Sequence, residues 1–283
     1  MTSTSTGTWP PRADCVADSA GGVTFDMAGE PSPGAALVLR RRGGKGAAAE
    51  MRLPLTPSGE GRLRAVLPST VELAEGRWDA FTTLGDGAAE QRVEPGLRDL
   101  RSLVDRAPET DRAQVAVRIP YPTADGSLAV RCWLRSPHAE SGALAFAQGA
   151  MTVEGRLYGT GLAAGAVVEA RLRADKDQVH RVPVTGTGGG AFAFTLPYGP
   201  LAEGRGDEQR LWDLWLCPTG PHGAAGVRIG RILDDIWEKK GVFRYPVLPV
   251  EGADVSRPTT AYPYFTVDND LSVRLDTARQ PTP

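Results

Sequence analysis

The chain repeats itself, and this limits its possible folds more than any single motif does. Residues 120–131, PYPTADGSLAVR, return as residues 263–274, PYFTVDNDLSVR. Other markers keep the same order in both copies. Leu67-Pro68 matches Leu196-Pro197, and Trp78-Asp79 matches Trp212-Asp213. Arg92, Val93, Leu97, Asp99 and Leu100 match Arg228, Ile229, Leu233, Asp235 and Ile236. Self-similarity on this scale marks one folding unit used twice. The offset grows from 129 residues at Leu67 to 134 at Trp78, 136 at Arg92 and 143 at Pro120, so the copies differ by short insertions. These fall in GRGDEQR and LPVEGADVSRPTT, which are polar and rich in turn residues, as connections tolerate and core strands do not. The expected division is a first unit at 13–138 and a second at 139–277, joined at SPHAESG, with 1–12 and 278–283 as disordered ends.

Within each copy the apolar pattern has period two. VTFDM, ALVLRR, RLRAVL, RWDAFTTL, VAVRIPY and SLAVRCWL are short, rich in β-branched and aromatic residues, and separated by Gly, Pro, Ser and Asp. The second copy answers with MTVEGRLYG, AVVEARLRA, AFAFTLP, LWDLWL and LSVRLD. The fold class this predicts is all-β: two tandem immunoglobulin-like antiparallel β-sandwich units, each with one short helix. The helices are expected in GLRDLRSLVDR and GRILDDIWEKKG. There Ile229, Ile232, Leu233, Ile236 and Trp237 fall at helical spacing and Lys239, Lys240 and Gly241 make a plausible C-terminus.

Composition excludes several functions. A net charge of -2 gives no basic surface for nucleic acid. No stretch approaches the 18 apolar residues of a membrane span, and the opening MTSTSTGTWPPRA lacks the apolar core of a signal peptide, so the predicted location is cytoplasmic. Cys15, Cys132 and Cys217 are odd in number and widely spaced, which argues against a disulfide framework and a zinc site. The basic run Arg40, Arg41, Arg42 and Lys45 sits among glycines and reads as a solvated hairpin tip.

The motifs that could carry chemistry each meet a structural reading. TGTGGGAF formally fits a dinucleotide-binding pattern, but a strand follows it where that mechanism needs a helix, so it reads as a glycine hairpin. His138, His180 and His222 lack metal-ligand spacing. Asp234, Asp235 and Glu238, beside Lys239, read as a solvated face. VDND at 267–270 lacks the glycine and distal glutamate of a calcium loop and reads as a turn. No metal or other cofactor is predicted.

The aromatic residues are the open remainder. Trp78 and Trp212 hold equivalent strand positions and are expected in the cores. Tyr121, Tyr262 and Tyr264 flank the repeated turn beside Thr123, Asp125, Thr266, Asp268 and Asp270. Exposed aromatic faces next to polar groups suit sugar rings, and these eight residues form the candidate ligand site; catalytic residues are not identifiable.

The ordered series LPLTP, GRLRAVLPSTVELAEGRWDAF, LRDLRSLVD and VRIPYPTADGSLAVR resembles a family of actinobacterial proteins loosely labelled transferases. More weakly, it is similar to the β-sandwich extensions of cell-wall polymer glycosyltransferases and glycerophosphotransferases of the teichoic-acid type. Those extensions serve in oligomerisation or polymer binding, after a nucleotide-sugar-binding catalytic domain; this chain has no Asp-x-Asp motif in a Rossmann-like setting. The two-unit architecture and the lack of a catalytic constellation, with the partner class that the resemblance implies, give the expectation of a non-catalytic accessory, assembly or carbohydrate-binding module of a cell-envelope polysaccharide or wall-polymer transferase. Such a module would lie in the cytoplasm, peripheral to the inner face of the membrane through its partner. Two alternatives stand beside it. One is a transferase enzyme with a site in the inter-unit cleft, near Arg135, His138 and residues 262–270. The other is a purely structural homo-oligomer.

Overall fold

The computed structural model describes residues 10–83, 85, 88–104, 106–108, 113–204, 206, 208–221, 223, 225–250 and 258–278 of the chain. The expected disordered ends lie almost wholly outside them. The described chain is mostly β. Its contacts divide it into two compact units: Met1–Arg106, Ala116–Leu134 and Leu233–Trp237 form the first, and Ala107–Val115, Arg135–Ile232 and Glu238–Pro283 the second. No described helix is long and apolar enough to cross a membrane.

The first unit carries β1 (Arg12–Ala17), β2 (Val23–Ala28), β3 (Ala36–Arg41), β4 (Glu50–Pro54), β5 (Thr56–Gly59), β6 (Arg62–Leu67), β7 (Gly76–Thr83), β8 (Gln91–Arg92), β9 (Glu94–Asp99), β10 (Val115–Pro122) and β11 (Leu128–Arg135), save the end residues Val115 and Arg135. One sheet has the order β5-β6-β2-β1-β9, the other β10-β11-β7-β3-β4, with β8 on β7. Alternation within the strands decides which side chains meet between the sheets. Phe25, Leu63, Leu37, Leu39, Trp78 and Val130, drawn from both, belong to one buried cluster.

The second unit carries β12 (His138–Ala147), β13 (Ala150–Tyr158), β14 (Val167–Leu172), β15 (Val179–Pro183), β16 (Thr185–Gly188), β17 (Ala191–Pro197), β18 (Arg210–Cys217), β19 (Val227–Gly230), β20 (Leu248–Pro249), β21 (Thr259–Phe265) and β22 (Leu271–Thr277), with one helical turn α1 (Gly199–Ala202). Its strands follow β16-β17-β13-β12-β19 and β20-β21-β22-β18-β14-β15, the orders of the first unit with β20 added, and β19 also pairs with β18, which joins the two series. Even the unusual pairing recurs: β9 runs parallel to β1, and β19 parallel to β12. The Trp-Asp strands β7 and β18 have identical burial patterns, with both tryptophans inside.

Two expectations are corrected. The helix expected in GRILDDIWEKKG is absent: Ile229 lies in β19, which ends at Gly230, and the residues after it are irregular. Asp234 accepts a bond from the Ile236 amide at 3.0 Å, a local side-chain closure that competes with helix formation. Lys239 does not sit on a solvated face but is fully buried. In the first unit, the equivalent stretch forms β9 followed by a short 3-10 turn, Arg101–Leu103. Parallel pairing on β1 supplies its backbone partners instead. TGTGGGAF is a hairpin between β16 and β17, with Gly188, Gly189 and Gly190 all at positive φ. Prolines lie in most strands at the ends of the sheet orders: Pro57 in β5, Pro95 in β9, Pro120 and Pro122 in β10, Pro54 in β4, Pro183 in β15 and Pro249 in β20.

Candidate functional site

The repeated phrase folds into the same hairpin turn twice. In the first unit the Thr123 amide donates to the Ser127 carbonyl at 2.8 Å and the Gly126 amide to the Thr123 carbonyl at 3.0 Å. In the second, the Thr266 amide donates to the Asp270 carbonyl at 2.8 Å and the Asn269 amide to the Thr266 carbonyl at 3.0 Å. Each threonine hydroxyl accepts the amide four residues on, from Ser127 at 3.0 Å and from Asp270 at 3.2 Å. The third turn residue needs a left-handed backbone: Gly126 has φ 80° and Asn269 φ 60°. Thr123 and Thr266 therefore work on their own backbone.

An ion pair is also duplicated. Arg42, just past β3, donates to Asp79 at 2.6 Å, and Arg173, just past β14, donates to Asp213 at 2.6 Å. In the second unit this pair grows into a network. Asp213 also accepts from Ser272 at 2.8 Å and Arg228 at 3.2 Å, and Asp270 pairs with Arg135 at 2.7 Å. Burial opposes ionisation of Asp213, but Arg173, Arg228 and the Ser272 hydroxyl hold its carboxyl below the usual range. Asp270 is thus committed to arginines. Asp125 and Asp268 are exposed at the turn tips, and the Thr123 hydroxyl keeps Asp125 below the ordinary carboxylate value.

The units part company at the tyrosines. Tyr121 is buried. Its ring stacks on Trp237 with centroids 4.2 Å apart and planes at 20°, and its hydroxyl has no hydrogen-bond partner among the described residues. Burial pushes that hydroxyl's pKa up. Tyr264 is half-buried, and its hydroxyl accepts from Arg173 at 3.3 Å. With Tyr262 it lines a pocket of about 370 Å³ in the second unit, whose other aromatic wall is Phe243 and Tyr245 and whose cations are Lys240, Arg244 and Arg274.

That second wall follows the stretch expected to be a helix. Phe243 meets the core residue Phe265 edge-on at 5.7 Å, and Arg231 lies over the Phe243 ring at 4.8 Å. The Phe243 amide donates to the Lys239 carbonyl at 2.8 Å, and the Lys239 amide to the Asn269 side chain at 3.1 Å. The turn residue Asn269, where the first unit has Gly126, thus anchors the loop that bears Lys240 and Arg244. Arg274 pairs with Asp276 at 2.7 Å, whereas Lys240 and Arg244 are exposed and make no ion pair among the described residues. An alternation of cations and aromatics in KKGVFRY is the only signal that could have flagged this wall.

A hollow of about 610 Å³ beside the glycine hairpin is lined by Gly159, Gly161, Gly186, Gly188, Gly189 and Gly190, with no ionisable side chain in its lining. His138 is buried and pairs with Glu140 at 2.7 Å; His222 lies outside the described residues. No group of three or more His, Cys, Asp or Glu among the described residues could hold a metal.

Fold and site define a mostly β protein of two like-ordered units, the second bearing an aromatic and cationic pocket. No family model matches the chain, and no curated protein matches it. Among solved structures it is similar to residues 217–571 of S. aureus TarS, at 15% identity and TM-score 0.32, covering 66% of this chain and 56% of that one. The chain spans 35% of a longer TarS structure. It is also similar to a pullulanase from Anoxybacillus sp. LM18-11 complexed with maltotriose, at 10% identity and TM-score 0.26, covering 72% and 24%. The titin domains Z1Z2 in complex with telethonin match at 16% identity and TM-score 0.21, covering 80% and 93%.

Proposed function

We propose that the chain is a non-catalytic accessory module that assembles with a cell-envelope polysaccharide or wall-polymer transferase, and that the pocket at Tyr264 is its recognition site. The pocket carries the reading: aromatic faces and unpaired cations are gathered in one unit, on a loop tied to the repeated turn. The resemblance of the repeated phrases supplies the class of partner. Each unit is read as an immunoglobulin-like sandwich, supported by the orders β5-β6-β2-β1 and β4-β3-β7-β11, with repeat boundaries at 13–138 and 139–277. The module acts in the cytoplasm, at the inner face of the membrane through its partner.

A second reading, a wall-polymer saccharide on Tyr262 and Tyr264, is favoured by the half-exposed rings. The test is calorimetric titration of the purified chain with candidate transferases and with wall-polymer fragments. Binding to a transferase that is lost in the Lys240→Glu, Arg244→Glu variant is the expected result. Binding to neither class of partner would remove the proposal.

A further inference from the structure

The first unit shows what a tyrosine in this position accepts. Tyr121 and Tyr264 follow the same proline, precede the same turn, and belong to units with the same Arg–Asp pair. On Tyr121 the chain lays Trp237, from the sequence Asp234-Asp235-Ile236-Trp237. Around Tyr121 stand Arg42, Arg77 and Arg131, against one carboxylate, Asp79. The stretch is therefore acidic and aromatic, laid on a tyrosine with cationic surroundings. Tyr264 has the same surroundings, from Arg173, Lys240 and Arg244, but stands half-exposed beside an open pocket. The counterpart of Trp237 in the first copy is Arg101, so the repeat offers no second tryptophan at this place.

We infer that the pocket at Tyr264 receives an acidic, tryptophan-bearing segment of a partner polypeptide, chemically like residues 234–237 of this chain. The indole stacks on Tyr264 while Lys240 and Arg244 meet the carboxylates. The inference rests on the reading of this pocket as the recognition site and names the chemistry of what enters it. Lys240 and Arg244 suit that task because neither is held in an ion pair among the described residues, so a ligand carboxylate displaces no internal partner.

The test is calorimetry on the full chain with a capped peptide Ile-Leu-Asp-Asp-Ile-Trp-Glu, residues 232–238. Three probes accompany it: the peptide with tryptophan replaced by alanine, the peptide with both aspartates replaced by asparagine, and a wall-polymer oligosaccharide. The parent peptide is expected to bind and to weaken with added salt, and each altered peptide and the Lys240→Glu, Arg244→Glu protein to lose about tenfold or more. Both protein changes are at exposed positions, and circular dichroism with the melting temperature checks that the variant is folded. Tyr264→Phe, which keeps the ring, is expected to retain most binding. Equal binding of the alanine peptide, or of the parent peptide to the charge-reversed protein, overturns the inference. Oligosaccharide binding without peptide binding overturns it and leaves the pocket as the recognition site. Binding of neither overturns the inference, and the reading of the pocket as the recognition site then stands or falls on the transferase titration.

Discussion

Tyr121 and Tyr264 stand at the same place in two copies of one phrase, yet the first is sealed beneath Trp237 and the second lies half-open with its hydroxyl on Arg173. The duplication kept the hairpin and changed what covers its tyrosine. Several measurable consequences follow from what differs between the copies.

Trp237→Ala removes the partner of Tyr121. An aromatic pair contributes about 0.5–1.5 kcal/mol beyond its buried area, and losing the indole's own contacts adds to that. The expected loss is about 2 kcal/mol in denaturant unfolding. A loss under about 0.5 kcal/mol, the usual range for surface substitutions, would show that the stack is incidental.

The two core tryptophans differ at one atom. The Trp78 indole nitrogen donates to the Ala74 carbonyl at 3.0 Å, whereas that of Trp212 is buried without a partner among the described residues. Phenylalanine at position 78 forfeits a hydrogen bond; at position 212 it removes an unsatisfied donor. Trp78→Phe should therefore be the more destabilising, by about 1 kcal/mol. Equal losses in paired urea titrations would contradict this.

Asn269 supplies both a left-handed backbone and an acceptor for the Lys239 amide. Asn269→Gly keeps the first and loses the second, at about 1–2 kcal/mol. Asn269→Ala loses both and should be worse than glycine by about 1 kcal/mol. Because the turn anchors the pocket loop, both variants should also weaken binding at Tyr264, which Gly126→Ala in the first copy should not.

Acid should expose the Asp213 network. Its folded pKa is depressed, so its stabilising contribution is present above the ordinary value of 3.8 and is lost as pH falls through the folded pKa. Asp213→Asn should lower the melting temperature at neutral pH and flatten its fall below about pH 4. Parallel melting curves for both proteins across that range would remove the network's role.

All three cysteines are buried, and burial pushes the Cys15 and Cys132 thiols up to about 12 and raises that of Cys217. Thiolate is the reactive form. A disulfide reagent at pH 8 should leave the native protein unlabelled and label all three positions in denaturant. Rapid native labelling of Cys15 or Cys132 would show that their strands open.

The strands were legible in the sequence because period-two alternation is a direct consequence of two packed sheets: VTFDM in β2 alternates in sequence as it does in burial. The helices were misread because Ile229, Ile232 and Leu233 are buried by different means. Ile229 belongs to a strand, while the other two are buried in an irregular segment. In the first copy Gly96 is the overlooked cue: a Cβ there would come within 2.9 Å of the Ala13 carbonyl oxygen, a close approach that suits a strand laid on β1. At the site, Tyr262 and Tyr264 could be named because the repeat drew attention to them. Lys240 and Arg244 could not, since their place depends on Asn269 holding a loop nearly thirty residues away in sequence.

The prolines of the outer strands bear on how such a chain reaches its native state. Two copies with like strand orders, joined covalently, meet one another at high effective concentration during folding, and a strand of one could be exchanged for its counterpart in the other. A proline cannot donate to a new neighbour, and nearly every terminal strand carries one; of the two that do not, β16 is half glycine and β8 is only two residues long. Each copy therefore closes on its own strands, and the duplication could diverge at Tyr264 without the two halves becoming entangled.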